Sequence, residues 1–183
     1  MILLPIPEIE GAYSAILAPH KDARGTLVEI WNVGQISKDS EWSTFIPVQI
    51  NFVNTNLGAI RGIHRTSKSV PQRKVVTCVA GKVLDVLVDL RPESATFRRK
   101  AEIELSAGNL KLLFIPERVG HSFQGLEQEN SVCYFFDHSY RPSMEIGINP
   151  LDDSLGINWQ TPYFLSNKDS TAPNLDSYLL GDL

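Results

Sequence analysis

The chain reads as an all-β protein, an antiparallel sandwich or barrel, and three observations carry that reading. Strand-like runs dominate, Gly, Pro, Asn or Ser breaks separate them at short intervals, and long stretches of helical periodicity are absent. Many short strands with turn signals between them favour antiparallel pairing over strand–helix–strand units.

The clearest element is Lys74–Arg91, KVVTCVAGKVLDVLVDLR. Its first half is β-branched and apolar, and Gly81-Lys82 marks a turn. In the second half Leu84, Val86, Val88 and Leu90 share one face, with Asp85 and Asp89 on the other. That is the period-2 pattern of a half-buried strand. Shorter strand runs are Thr26–Asn32, Phe45–Val53, Ala101–Leu105, Lys111–Ile115 and Ser131–Phe136. The helix candidates are short, about Val33–Glu41 and about Asn174–Leu180. From Asn149 onward the chain is rich in Pro and Asn. Trp159, Tyr163, Phe164 and Leu165 give this end enough apolar content to predict a tail packed over the barrel. No repeat, low-complexity tract or linker interrupts the sequence, so residues 1–183 are expected to form one domain.

Composition sets the class. With 183 residues, 43% apolar and 21% charged, the chain has the make-up of a soluble globular protein. A net charge of −4 argues against a broad basic surface for nucleic acid, yet it permits a local basic pocket for a phosphate group. The start, MILLPIPEIEGAY, is apolar but short, broken by prolines and glutamates, and lacks the basic start and apolar run of a signal peptide. No segment approaches the roughly 20 apolar residues that span a bilayer. Cys78 and Cys133 sit inside apolar runs and read as buried thiols, so the expected compartment is the reducing cytoplasm.

Several familiar motifs are missing. There is no GxGxxG, no GxxxxGK[ST] and no GxSxG. His20, His64, His121 and His138 form no HxH or HExxH pair, so no metal site and no cofactor are expected.

Four segments could carry chemistry. Gly58–His64 (GAIRGIH) puts Arg61 and His64 three residues apart beside glycines. Arg61 could fork onto phosphate oxygens and His64 could shuttle protons. In a regular strand that spacing points them to opposite faces, so both reach one ligand only if the chain bends or the strand ends near Gly62, which glycine permits. Taken alone, the pair is better read as a surface Arg and a satisfied core His. Ten residues on, Lys74 opens a strand, where it could snorkel to solvent or point inward as an oxyanion partner. Ile115–His121 is a turn that delivers His121, and Tyr134, Phe136, His138 and Tyr140 share one face if their strand continues that far. The loop-like LSNKD carries Asp169, a solvated cap or the orienting carboxylate of a histidine.

Together and in this order, these segments resemble the dTDP-4-dehydrorhamnose 3,5-epimerase family. The resemblance runs from Asp22 to about Leu175. Asp22-Ala23-Arg24-Gly25 with Glu29 is similar to D-x-R-G-x-F-x-E, and Gln49-Ile50-Asn51 followed by GAIRGIH is similar to Q-x-N and G-V-L-R-G-L-H. VLDVLVDLRPESATF, IPERVGHSF and LSNKD match V-F-D-V-x-V-D-x-R-x-x-S-P-T-F, I-P-x-G-x-A-H-G-F and L-S-x-K-D. Tyr134, Tyr140, Pro142 and Glu145 fit Y-K-x-T-x-x-Y-x-P-x-x-E.

The resemblance implies a cupin-like jelly-roll barrel (a double-stranded β-helix) with a few short helices. It implies a homodimer whose N-terminal strands cross to the partner, and a dTDP-linked 4-keto-6-deoxyhexose as substrate. By the same resemblance His64 is the base, Asp169 its orienting carboxylate, Tyr134 the acid on the opposite face of the sugar and Lys74 the enolate's cation. Arg24, Arg61 and His121 contact the diphosphate, and Glu29, Gln49, Asn51 and Tyr140 line the nucleotide. Arg24 and Glu29 belong to the partner's site if the strands cross. The residue types suit the reaction. A carbon acid beside a ketone has a pKa on the order of 18–20, far above the ~6.5 of histidine, so the enolate must meet a cation or donor. Inversion also requires acid and base on opposite faces of the ring.

The sequence departs from the pattern at Arg65 (for an aromatic), Thr66 (for Gln), Phe135 (for Lys), Leu27 (for Phe), Val53 and Thr55 (for Ser) and Arg118 (for Gly). The catalytic set is intact and the pocket rim is altered. That leaves open a single-centre epimerase on another keto sugar, or a sugar-nucleotide-binding jelly roll without turnover.

Overall fold

The computed structural model describes residues 1–181, with side chains through Tyr178. The strands are β1 (Leu4–Pro5), β2 (Tyr13–Ile16), β3 (Pro19–Asp22), β4 (Gly25–Val28), β5 (Gln49–Asn56), β6 (Ile60–Thr66), β7 (Lys74–Ala80), β8 (Lys82–Asp89), β9 (Lys100–Ser106), β10 (Lys111–Ile115), β11 (Val119–Gly125), β12 (Glu129–Phe136) and β13 (Glu145–Gly147). Two short helices follow, α1 (Asn167–Ser170) and α2 (Leu175–Gly181). Six strands form one sheet in the order β1-β2-β10-β7-β12-β5, and five form another in the order β13-β6-β11-β8-β9. The hairpin β3–β4 pairs with neither. Neighbouring strands are antiparallel throughout, as the turn-rich pattern predicts.

The two sheets close on an apolar interior. Val76 and Cys78 of β7, Leu113 and Ile115 of β10 and Val132 of β12 face Val83 and Leu87 of β8, Leu105 of β9 and Phe123 of β11. Each fully buried side chain of this kind contributes roughly 1.5–3 kcal/mol. The outer face of each sheet is also covered. Trp31, Ile36, Trp42 and Phe45 pack on Val75, Leu112, Phe114 and Phe135. Leu155, Leu175 and Tyr178 of the C-terminal segment pack on Ile63, Val86, Val88 and Leu90.

This double covering corrects the half-buried reading of β8. Its apolar face meets the C-terminal segment, and its carboxylate face points into the barrel, where Asp85 and Asp89 are both fully buried. Asp89 is held by Arg91 (2.7 Å), Ser94 (2.6 Å) and Thr96 (2.6 Å). Burial pushes its carboxyl up, but these hydrogen bonds outweigh that and hold it below the usual range.

Other boundaries differ for local reasons. The helix read at Val33–Glu41 is two separate 3₁₀ turns, Val33–Gln35 and Glu41–Thr44. Asn32 and Ser40 each cap a turn by accepting from Gly34 N and Trp42 N, and this local capping competes with one continuous helix. The strand read at Thr26–Asn32 stops at Val28, and the one read from Phe45 starts at Gln49, after Pro47. β12 ends at Phe136, so His138 and Tyr140 lie on a loop and not on the face of Tyr134. The helix at Asn174–Leu180 is present as α2.

Candidate active site

The site begins with a bulge. His121 of β11 pairs with His64, but Phe123 pairs with Arg61, so β6 carries one extra residue between the two pairs. Gly62 makes this possible. Its φ is +110°, and a Cβ there would lie 2.5 Å from the His121 carbonyl oxygen. The bulge resolves the spacing problem, because Arg61 and His64 now line one cavity of about 140 Å³.

Asp169 reaches His64 from the C-terminal segment. Ser166 caps α1 by accepting from Asp169 N (3.1 Å), which sets the carboxylate in the first turn. Asp169 Oδ1 accepts from His64 Nε2 at 2.7 Å. Burial raises this carboxyl, but the His64 and Ser166 contacts override it and hold it below the usual carboxylate range. With Nε2–H donated to the carboxylate, Nδ1 is the nitrogen left to take a proton.

Lys74, the first residue of β7, points inward, 8% exposed, and Nζ donates to the His64 carbonyl oxygen at 3.3 Å. Burial pulls its pKa down to about 8, although the charges of Glu145 and Asp85 oppose the shift. Tyr134 of β12 enters from the same sheet as Lys74, opposite the sheet that carries His64. Its ring stacks on Phe136 (5.8 Å, 4°) and meets the His121 ring edge-on (5.6 Å, 72°). Burial and the Asp85 charge push the phenol well above its ordinary value, against the pull of Arg61, so it keeps its proton.

A second histidine–carboxylate pair lies deeper. His121 Nε2 donates to Asp85 Oδ2 at 2.9 Å, with side chains 4% and 0% exposed. The sequence reading assigned Asp85 no role. The signal was present, since Asp85 shares its strand face with the apolar Val83 and Leu87, and a carboxylate on such a face needs a partner. Glu145 was also left without a role. It lines the cavity and forms an ion pair with Lys168 at its mouth.

The remaining expected residues divide. Asn51 and Tyr140 line the cavity. Gln49 supports both, donating to Asn51 Oδ1 (2.9 Å) and accepting from Tyr140 N (2.7 Å). Arg61 is aimed by Thr55 Oγ1 (2.8 Å) and the Asn54 carbonyl (3.1 Å). Arg24 and Glu29 are not brought to this cavity. Arg24 projects from the β3–β4 turn, 90% exposed and paired with Asp22, and Glu29 is tied to Asn32 and Gln35.

Of the altered positions, Phe135 turns away and packs in the outer cluster with Trp31. Arg65 lines the cavity, with its guanidinium 5.0 Å over the Tyr178 ring. Arg118, in place of glycine, adopts the left-handed φ of +62° and pairs with Glu93. Among the described residues, no group of three His, Cys, Asp or Glu side chains is arranged to hold a metal. No helix among them is long and apolar enough to cross a membrane.

The arrangement suits a two-sided proton transfer. A carboxylate-held imidazole stands on one sheet, a protonated phenol on the other, and an ammonium lies beside the base.

Known proteins carry the same arrangement of chain. The family model described as dTDP-4-dehydrorhamnose 3,5-epimerase matches residues 7–177. The dTDP-4-dehydro-6-deoxyglucose 3-epimerase of Streptomyces bikiniensis is 35% identical over 169 residues, 91% of this chain and 86% of that protein. A 4-keto-6-deoxy sugar epimerase from the novobiocin gene cluster of Streptomyces spheroides superposes with a TM-score of 0.90 at 32% identity, covering 100% of this chain and 92% of that one. The Legionella pneumophila dTDP-6-deoxy-D-glucose-3,5-epimerase, solved with dTDP-4-keto-L-rhamnose, gives 0.87 at 29% identity, covering 100% and 96%. With its jelly-roll fold and a family match over nearly its whole length, the chain belongs to the dTDP-4-dehydrorhamnose 3,5-epimerase family.

Proposed function

We propose that the protein is a cofactor-independent isomerase that epimerises a dTDP-linked 4-keto-6-deoxyhexose at carbon 3, carbon 5 or both, in deoxysugar biosynthesis. The observation that carries this is the placement of His64 and Tyr134 on opposing sheets of one cavity, with Lys74 beside the base.

His64 removes the proton from the carbon next to the ketone, using the nitrogen that Asp169 leaves free. Asp169 also stabilises the imidazolium that forms. The electron pair moves to the carbonyl oxygen, and the buried Lys74 ammonium stabilises the enolate. Tyr134 returns a proton to the opposite face of the same carbon, which inverts it. Arg61 and His121 hold the diphosphate, and Gln49, Asn51 and Tyr140 position the nucleotide.

The protein acts as a homodimer in this reading, with Arg24 and Glu29 completing the partner's site. Three features support it. The β3–β4 hairpin pairs with neither main sheet, both side chains stand apart from the cavity of their own chain, and the edge strand β5 exposes Ile50 and Phe52. Unpaired thiols at Cys78 and Cys133 fit a cytoplasmic setting.

The test is to incubate the protein with dTDP-4-keto-6-deoxyglucose in heavy water and follow deuterium by NMR. Uptake at both carbons identifies a double epimerase. Uptake at carbon 3 alone identifies a single-centre enzyme, a reading favoured by the similarity to the Streptomyces bikiniensis 3-epimerase. Absence of uptake with retained dTDP binding would leave only a binding jelly roll.

A further inference from the structure

Thr66 is a buried hydroxyl without a job in the mechanism above. It lies two residues beyond His64 on β6, past the bulge, so the two side chains share the cavity face. Two strand residues advance about 6.6 Å, so Thr66 flanks the base at roughly the width of a sugar ring. Its backbone pairs with Glu145, and Lys74 lines the same cavity from the other sheet. The residue is 8% exposed, and Oγ1 is buried with no hydrogen-bond partner.

That orphan is costly. An unsatisfied buried hydroxyl costs about 1–3 kcal/mol, and valine would fill the same volume without it. A packing role therefore does not explain a threonine here. The side chain lines the cavity where the ring carbons beside the ketone must sit for His64 to reach them, and rotation about χ1 would turn the shielded hydroxyl toward that space. Of those two carbons, carbon 3 carries a hydroxyl and carbon 5 carries a methyl group. A threonine hydroxyl can donate to and accept from the first but not the second.

We propose that Thr66 Oγ1 hydrogen-bonds the carbon-3 hydroxyl of the keto sugar and makes residue 66 a determinant of which sugar is accepted. This rests on the epimerase reading above. Both altered positions next to His64 line the cavity, but the Arg65 guanidinium is engaged over the Tyr178 ring, whereas the Thr66 hydroxyl has no hydrogen-bond partner.

The experiment compares wild type, Thr66→Val and Thr66→Ser on dTDP-4-keto-6-deoxyglucose and on its 3-deoxy analogue, reading deuterium uptake at carbon 3 and kcat/KM. Thr66→Val should lose roughly 10- to 100-fold on the hydroxylated sugar and stay within about two-fold on the 3-deoxy sugar. Thr66→Ser should keep most activity on both. Equal losses on both sugars would assign Thr66 to packing, and no loss on either would deny it a contact. Both results overturn the proposal while leaving the epimerase reading intact. No uptake by wild type on either sugar would instead overturn the epimerase reading and this proposal with it.

Discussion

The two histidine–carboxylate pairs look alike and sit differently. His64–Asp169 joins β6 to the C-terminal segment across 105 residues of sequence, and its imidazole is 28% exposed at the cavity wall. His121–Asp85 joins neighbouring strands inside the barrel, with both side chains almost wholly buried. In each pair the carboxylate accepts from Nε2. One imidazole can therefore meet a carbon acid from the open side. The other is a fixed ring edge-on to Tyr134, held by its carboxylate and suited to donating to an anion rather than to meeting a carbon acid. The same two residue types yield a base or an anchor according to which element brings the carboxylate and how much of the ring is left open.

Breaking the exposed pair should have the largest effect. His64→Ala should lower epimerisation by roughly 10³- to 10⁵-fold with dTDP binding retained, and Asp169→Asn should fall nearly as far because it no longer fixes the tautomer. Steady-state kinetics on both variants check this, and a loss confined to KM would contradict it.

Lys74 should give the next largest effect, and it separates function from stability. Its ammonium titrates at about 8, so turnover should fall as pH rises through that value and the cation is lost. Stability runs the other way. The unfolded chain holds this proton up to 10.5, so between about 8 and 10.5 it binds more protons than the folded chain, and stability rises with pH. Below pH 8 the buried ammonium costs on the order of 3 kcal/mol, most of which Lys74→Met should recover while activity drops by about 10²-fold or more. Denaturant titrations of both proteins at pH 7 and pH 10 measure it. A less stable Lys74→Met protein at pH 7 would contradict the inward, desolvated placement.

Breaking the buried pair should be milder. Asp85→Asn should raise KM for the nucleotide sugar by roughly 10-fold and change kcat less, because His121 loses the carboxylate that holds it toward the anion. If Asp85→Asn instead matched Asp169→Asn in kcat, the two pairs would share one role and the contrast would collapse.

Much of the fold was legible because it rests on local patterns. Period-2 runs and turn residues located β7 to β10 and β12, while β11 was read as a turn, and the glycine at position 62 permitted the bend that brings Arg61 and His64 together. What was missed depends on contacts distant in sequence. The carboxylate face of β8 read as solvent-facing because nothing nearby states that residues 155–178 cover the other side. The 3₁₀ turns at Val33 and Glu41 were hidden by an apolar spacing that two capping side chains override. Thr66 and Arg65 were both legible as altered positions, but only the structure shows that the Arg65 guanidinium is engaged by Tyr178 while the Thr66 hydroxyl has no partner.

The central claim is that a proton leaves to His64 on one face and returns from Tyr134 on the other. Tyr134→Phe in heavy water tests it most directly. The variant should still exchange the carbon-bound proton for deuterium, because base and ammonium are intact, but with the original configuration kept and inversion reduced by about 10²-fold or more. Inversion at the wild-type rate, with deuterium delivered to the opposite face, would show that the proton comes from elsewhere and would contradict the account.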